Sequence, residues 1–178
     1  MSIRNRKLPA FRRHPILSAS LTLTAVVAIA STFFADRQVV INTSPSVQPG
    51  IYIRSCATPK VGAIVDFEIP TAAQPYIHAR SGYSGENWYI LKPIIAGPED
   101  QVDTLGDWLV VNGKRIAPMP PREDSTGRPL PIWRGCRRLA DNEFFVFSAR
   151  IPNSFDSRCY GPIPRREIMA VRWPLITW

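Results

Sequence analysis

The stretch QVVINTSPSVQPGIYIR, residues 38–54, joins two runs of β-branched and aromatic residues through a segment of serine, proline and glycine. Runs like those at 38–41 and 51–54 are typical of short β-strands. Proline and glycine between them favour a turn, where a side chain can be presented. The stretch therefore predicts two strands and a connection that presents two hydroxyl groups, those of Ser44 and Ser46.

The rest of the chain beyond this stretch repeats the pattern of short strands separated by Gly, Pro and Asn. The pair Asn112-Gly113 is the strongest short hairpin signal, and a type I′ turn is expected there. Further strands are predicted at 63–69, 88–96, 108–116, 144–148 and 168–173. The expected fold class is mainly β, with one mostly antiparallel β-sheet domain over residues 36–178.

Two segments of this domain do not have a strand pattern. The only helical candidate lies near 71–80 and is interrupted by Pro75. Residues 117–131 are rich in proline and charge, which predicts a mobile loop that is too polar to be core.

An uncharged segment of 21 residues, 15–35, precedes the domain. As a helix it would span roughly 31 Å, the thickness of a bilayer core. The basic tail before it, 1–14, predicts a cytoplasmic amino terminus. The expected organisation is a cytoplasmic tail, a transmembrane anchor in the inner membrane and a periplasmic domain at 36–178. The alternative is a cleaved secretory signal, with Ala28-Ile29-Ala30 as the cleavage site.

The net charge of +8 would be consistent with nucleic-acid binding, but the positions of the basic residues do not favour it. Five of the basic residues lie in the tail, and the remainder of the chain has no arginine stripe or aromatic–basic interleaving. Nucleic-acid binding is therefore disfavoured. No glycine-rich nucleotide motif and no H-E-x-x-H occurs, so neither a cofactor nor a metal site is expected. The five basic residues of the amino-terminal tail are Arg4, Arg6, Lys7, Arg12 and Arg13.

Three cysteines, Cys56, Cys136 and Cys159, lie in the domain that is expected to be exported. In an oxidising compartment two of them could form one disulfide. Three unpaired thiols are the equal alternative, because the sequence does not give the connectivity.

The chain has too few histidines for the commonest serine-protease chemistry. One of the two, His14, lies in the basic tail, and the other, His78, has no carboxylate close in sequence. A serine can instead be activated by a neutral lysine, which requires that the lysine be buried. Of four lysines only Lys92 lies in an apolar run, WYILKPII, where alternation places it on a face with Ile90 and Ile94. The alternative is an edge-strand lysine that keeps a sheet soluble.

The candidate nucleophile is Ser46, ten residues beyond Asp36, the first charged residue after the apolar segment. This position predicts a place near the bilayer surface, where a membrane-tethered substrate would expose its scissile bond. The alternative is that the serines and prolines form only a linker between the membrane and the domain.

Three segments together resemble a known family. NTSPS at 42–46 with PGIY at 49–52 is similar to the N-x-S/T-x-S…P-x-G-x-Y signature of conjugative-transfer signal peptidases of the TraF type. YILKPIIAGPEDQV at 89–102 resembles the lysine box of these proteins, and SFDSRCYGP at 154–162 resembles their SxDSRYxGP box. The family belongs to the type I signal peptidase class of serine–lysine proteases, and the resemblance covers nearly all of 36–178.

The resemblance implies a signal-peptidase-like catalytic domain and a role for each matching residue. Ser46 would be the nucleophile and Lys92 the general base. Ser44 would supply an oxyanion-hole hydroxyl, together with the N–H of Ser46. Ser154 would orient the lysine, and an ion pair between Asp156 and Arg158 would support the site.

The implied reaction is acyl transfer to Ser46, followed by hydrolysis or by attack of a substrate amine. Substrates would bind as an added strand with small side chains in shallow apolar pockets, for which Ile90 and Leu91 are candidate lining residues. The implied substrates are preproteins or pilin precursors at the outer face of the inner membrane, and other conjugation proteins are possible partners.

Three alternatives remain at this stage. The chain could be a general preprotein signal peptidase with the same chemistry, or a non-catalytic membrane-anchored β-domain of a secretion or conjugation machine. A DNA-binding Ser–Lys autoprotease is disfavoured, since the sequence has an anchor and no helix-turn-helix.

Overall fold

The structure, a computed structural model, describes residues 15–35, 37–81, 89–124 and 126–178. The predicted basic tail lies outside these residues. The chain divides into two units, of which the first ends at Gln38 and the second comprises Val39–Trp178.

The first unit contains the helix α1, Pro15–Ala35. This helix has the bounds predicted for the membrane anchor. Among the residues that the structure describes in full, no helix is both long and apolar enough to cross a membrane. The transmembrane anchor therefore stays a prediction.

The second unit is built from antiparallel strands, which confirms the mainly β fold class. Seven strands form the larger sheet in the described residues: β1 Val39–Asn42, β2 Gly50–Ser55, β3 Ile64–Glu68, β4 Tyr89–Ala96, β9 Glu143–Val146, β10 Ile163–Pro164 and β11 Ile168–Thr177. Their order is β1-β2-β11-β3-β4-β9-β10. The last long strand thus lies between two early ones.

A second sheet contains β5 Gln101–Leu105, β6 Trp108–Val111, β7 Lys114–Pro118 and β8 Cys136–Arg138, in the order β7-β6-β5-β8. The prediction of one sheet was wrong in this respect. The chain changes sheets at a tight turn after β4, where Gly97 N–H donates to the Asp100 carboxylate at 2.8 Å and Glu99 has a φ of 68°. The hairpin between β6 and β7 has positive φ at both Asn112 and Gly113, which confirms the type I′ turn.

The helical candidate near 71–80 is present as a helix. A 3₁₀ turn at Thr71–Ala73 leads into α2, Gln74–Ser81. Pro75 does not interrupt it, because proline in the first turn of a helix removes no intrahelical hydrogen bond. A short helix that the sequence pattern did not predict, α3 Ser157–Tyr160, begins after Asp156, whose side chain accepts a hydrogen bond from Arg158 N–H.

The predicted polar loop at 117–131 is partly core, so that prediction was wrong for its beginning. Met119 is buried in the apolar cluster of the smaller sheet. Further along, the Asp124 carboxylate accepts hydrogen bonds from Thr126, Arg128 and the Tyr76 hydroxyl. These bonds tie the loop to itself and to α2.

Among the described residues of the second unit, two apolar clusters form the core. One includes Val65, Phe67 and Ile94 of the larger sheet, together with Tyr160 of α3. The other lies against the smaller sheet and includes Leu109. All three cysteines are free thiols, with Cys56 and Cys136 exposed and Cys159 buried, so no disulfide is formed.

Candidate active site

The connection between β1 and β2 is held from within by Asn42. Its side-chain amide donates to the carbonyl oxygens of Ser44, Val47 and Gln48 at 3.0, 3.1 and 3.2 Å. Its side-chain oxygen accepts the N–H of Ser44 at 3.1 Å. Asn42 is buried, and one side chain therefore organises the seven-residue connection that follows it, residues 43–49.

Other parts of the chain bind three further carbonyl groups of this connection. The Pro45 carbonyl accepts from Arg150 Nε at 3.2 Å, and the Ser46 carbonyl accepts from Ser148 Oγ. The Pro49 carbonyl accepts from Trp178 N–H at 3.1 Å. Each carbonyl from Ser44 to Pro49 thus receives a hydrogen bond. A loop with all of these groups bound is not a free linker, and the linker alternative is wrong.

Ser46 is buried, with 5% of its surface exposed. Its Oγ lies 3.0 Å from Ser44 Oγ, and its N–H points to the same Ser44 oxygen at 3.4 Å. Two hydroxyl groups and one backbone N–H therefore converge on a small volume beside the candidate nucleophile. An oxygen that develops negative charge there would meet donors from both residues.

Lys92 lies in β4 with 4% of its surface exposed, on the same buried face as Ile94. β4 pairs with β3 on one side and β9 on the other, so the edge-strand alternative is wrong. Nζ donates to Ser154 Oγ at 2.8 Å. Burial lowers the pKa of Lys92 to about 8, although Asp156 acts in the opposite direction. A lysine in this state can lose its proton near neutral pH, which a general base requires.

Asp156 and Arg158 form a buried bidentate ion pair, with N–O distances of 2.9 and 3.0 Å. Arg158 also donates to the carbonyl oxygens of Pro118 and Ser154, and its guanidinium lies 4.6 Å from the centre of the Phe147 ring. The pair fixes the backbone at Ser154, and through it the hydroxyl that binds Lys92. The net contribution of this ion pair to stability is small, since desolvation of the two charges offsets their attraction. Loss of one partner alone is costly, because it leaves the other charge buried without a partner.

One segment, residues 148–158, connects both halves of the candidate site. It binds the connection that carries the candidate nucleophile, residues 43–49 (the nucleophile loop), through Ser148 and Arg150, and it binds Lys92 through Ser154. Among the hydrogen bonds of the described residues, none joins Ser46 Oγ to Lys92 Nζ directly. Such bonds are often long in substrate-free sites and tighten when substrate binds.

The two predicted pocket residues are half-buried in β4. Ile90 packs against the larger apolar cluster, and Leu91 pairs with Asp66 of β3. A cavity of about 290 Å³ is lined by Ser154, Tyr76 and Leu130, among other residues, and neither Ile90 nor Leu91 is part of its lining. The pocket role of Ile90 and Leu91 stays a prediction, as do the catalytic roles of the other site residues.

Sequence reasoning assigned no role to Asn42, Ser148 or Arg150. Asn42 lies inside the quoted signature, and its position before the turn was the available signal. The sequence carried no such signal for Ser148 or Arg150, because the residues they bind, Ser46 and Pro45, are 102 and 105 residues away in the chain. Among the described residues, no group of three or more His, Cys, Asp or Glu side chains could hold a metal ion.

Comparison with known proteins identifies the family to which this chain belongs. The family model described as signal peptidase, peptidase S26, matches residues 13–176. The chain belongs to the signal peptidase S26 family, and the resemblance inferred from its three segments is confirmed. Family membership supports a peptidase.

Two relatives carry a more specific name. A plasmid transfer protein TraF of Escherichia coli is 31% identical over 173 residues, covering 91% of this chain and 96% of that protein. A second TraF of Escherichia coli is 30% identical over 162 residues, covering 86% and 90%. A signal peptidase I from Enterococcus faecalis aligns with a TM-score of 0.38 and 18% identity, covering 66% of this chain and 98% of that chain.

Proposed function

We propose that this chain is a membrane-anchored serine endopeptidase that cleaves signal peptides or pilin precursors by means of Ser46 and Lys92. The observation that supports it best is the state of Lys92. Lys92 is buried, has a pKa of about 8 and donates a hydrogen bond to the Ser154 hydroxyl. Residues 148–158 connect it to the loop that carries the buried Ser46, in a chain that belongs to a signal peptidase family. A structural lysine has no need of such surroundings, whereas a general base does.

The proposed reaction begins with proton transfer. Neutral Lys92 takes the proton of Ser46 Oγ as that oxygen attacks the scissile carbonyl carbon. The carbonyl oxygen becomes an oxyanion and receives hydrogen bonds from Ser46 N–H and Ser44 Oγ. Collapse of this intermediate breaks the C–N bond, and the lysine ammonium gives its proton to the leaving amine.

The acyl group then leaves Ser46. Neutral Lys92 takes a proton from water, the hydroxide attacks the ester, and the serine oxygen recovers the proton. An amine of the substrate could replace water in this step, which would give a cyclic product. Ser154 keeps the lysine nitrogen in place through both steps.

Membrane anchoring is part of the proposal and is supported by the sequence of the first unit. Residues 15–35 carry no charge, and the tail before them is basic. In the described part of α1, the large apolar side chains of Leu21, Val27 and Ile29 are exposed. We place the amino terminus in the cytoplasm and the catalytic unit in the periplasm, at the outer face of the inner membrane.

The relatives' names suggest the substrate class. Because two relatives are plasmid transfer proteins, we propose that the natural substrates belong to a conjugation system. A pilin precursor and a generic secretory preprotein, supplied to the same purified enzyme, distinguish this role from general preprotein processing. Faster cleavage of the pilin precursor is expected, and a preference for the generic preprotein would contradict a conjugation-specific role.

The first prediction concerns the two proposed catalytic side chains. Ser46→Ala and Lys92→Ala should each lower precursor cleavage by at least about a thousandfold, because each removes a group that takes part in bond breaking. Cleavage is followed by the mass of the products, with the full chain in detergent micelles.

Matched controls are available for both changes. Ser55 and Lys114 are also a serine and a lysine of the β-sheet unit, but they lie in a strand end and beside a turn, so Ser55→Ala and Lys114→Ala should cleave normally. Wild-type activity in Ser46→Ala would show that the protein is a scaffold or uses another nucleophile.

A further inference from the structure

The peptide group between Pro45 and Ser46 has contacts at both of its ends. Its N–H is the backbone donor in the proposed oxyanion site and points towards Ser44 Oγ at 3.4 Å. Its carbonyl oxygen accepts a hydrogen bond from Arg150 Nε at 3.2 Å. Because a trans peptide group is planar and its C=O and N–H point in opposite directions, a donor that fixes the oxygen also fixes the direction of the N–H.

The following peptide group is held in the same way. The Ser46 carbonyl accepts a hydrogen bond from Ser148 Oγ, and Ser148 is fully buried. Ser148 Oγ in turn accepts the N–H of Arg150 at 3.3 Å. Two residues of the segment 148–158, Ser148 and Arg150, therefore bind both peptide groups that flank the α-carbon of Ser46.

We propose that Arg150 is a positioning residue for catalysis, which acts through the Pro45 carbonyl to orient and polarise the Ser46 N–H that binds the oxyanion. This inference rests on the proposed function, since it concerns the same site. Ser148 has the companion role of fixing the other peptide group, and with it the direction of the Ser46 side chain.

The chemistry of the contact supports an effect on the transition state. A charged donor at a carbonyl forms a stronger hydrogen bond than a neutral one, and hydrogen bonds in a chain polarise each other. The guanidinium withdraws electron density from the carbonyl oxygen, which makes the N–H of the same amide a better donor. This gain is largest when the oxygen opposite the N–H carries a full charge, so it acts on the transition state more than on bound substrate.

Arg150 is exposed, whereas Asn42 and Ser148, whose side chains also bind the loop, are buried. Truncation of its side chain leaves no cavity and removes no core contact. Substitution of Arg150 should therefore change the melting temperature only slightly, so an effect on catalysis can be measured on a folded protein.

The test compares Arg150→Ala with the wild-type full chain in detergent micelles. We expect kcat to fall about tenfold, which corresponds to about 1.4 kcal/mol, with KM within about twofold and an unchanged melting temperature. The affinity for a peptide aldehyde, whose adduct with Ser46 places an oxygen in the oxyanion site, should fall by the same factor as kcat. Arg150→Lys retains a charged donor and should recover part of the loss.

Arg134→Ala is the matched control, because Arg134 is also exposed and also donates to a backbone carbonyl, that of Gly106. Its kcat should equal that of the wild type. A kcat of Arg150→Ala within twofold of wild type, or a loss confined to KM, overturns the inference. If the wild type does not cleave, or if Ser46→Ala cleaves normally, the proposed function fails instead.

Discussion

At the scale of single residues, the burial of Lys92 has a cost in stability that its proposed role as a general base would explain. Its nitrogen is buried in the interior of a sheet with a serine hydroxyl as its bonded partner, and burial is the main cause of its lowered pKa. A buried ammonium without a bonded carboxylate is an unfavourable element of a fold. The second prediction follows from this cost.

Lys92→Met should make the protein more stable at neutral pH. The folded pKa of about 8 is below the usual 10.5, so the unfolded state binds more protons between these values and stability rises with pH across that window. Below about pH 8 the penalty is fully present and amounts to about 3 kcal/mol. Methionine removes it while it keeps most of the side-chain volume, although the bond to Ser154 is lost.

Thermal unfolding of wild type and variant at pH 7 and pH 10 measures this effect. The advantage of Lys92→Met should be large at pH 7 and should shrink at pH 10. The exposed Lys114→Met should show no such difference between the two pH values. A variant that is less stable than wild type at pH 7 would contradict the burial cost.

At the scale of elements, β2 and β11 approach each other closely just after the nucleophile loop. A Cβ on Gly50 would lie 2.3 Å from the carbonyl oxygen of Ile176, and that atom belongs to the backbone of β11. Trp178 also binds the Pro49 carbonyl from the end of this strand. The third prediction is that Gly50→Ala separates the strands, lowers stability by about 1–3 kcal/mol and reduces cleavage, because the Pro49 carbonyl of the loop loses its partner, the N–H of Trp178.

Gly97→Ala is the control for this change, since a Cβ there meets the Phe144 ring at 3.6 Å, which is ordinary contact. Urea unfolding and the cleavage rate are measured for both variants. Equal stability of Gly50→Ala and wild type would show that the β2–β11 contact does not constrain the loop.

The sequence predicted the local parts of these elements and missed the distant ones. Alternation within β4 placed Lys92 on a buried face, and the Asn112-Gly113 signal gave the hairpin, because both depend on neighbours in the chain. The position of β11 between β2 and β3 follows from pairing across more than a hundred residues, which no local pattern encodes. The hydrogen bonds that Ser148 and Arg150 donate to the nucleophile loop were missed for the same reason.

At the scale of the whole β-sheet unit, the larger sheet brings the two halves of the candidate site together from distant parts of the chain. The nucleophile loop follows β1, the lysine lies in β4, and the segment that holds both follows β9. The ion pair between Asp156 and Arg158 anchors this segment in the core. The proposed mechanism therefore requires the two halves to act as one system, with Lys92 as the base that activates Ser46.

The pH dependence of cleavage tests this claim most directly. If neutral Lys92 is the base, kcat/KM should rise with pH to a plateau above about 8, and below that value it should fall tenfold for each pH unit as the lysine becomes protonated. The measurement uses the wild-type full chain and one precursor peptide between pH 6 and pH 9.5, with Ser46→Ala as the blank. A rate that is constant over this range would contradict Lys92 as the general base.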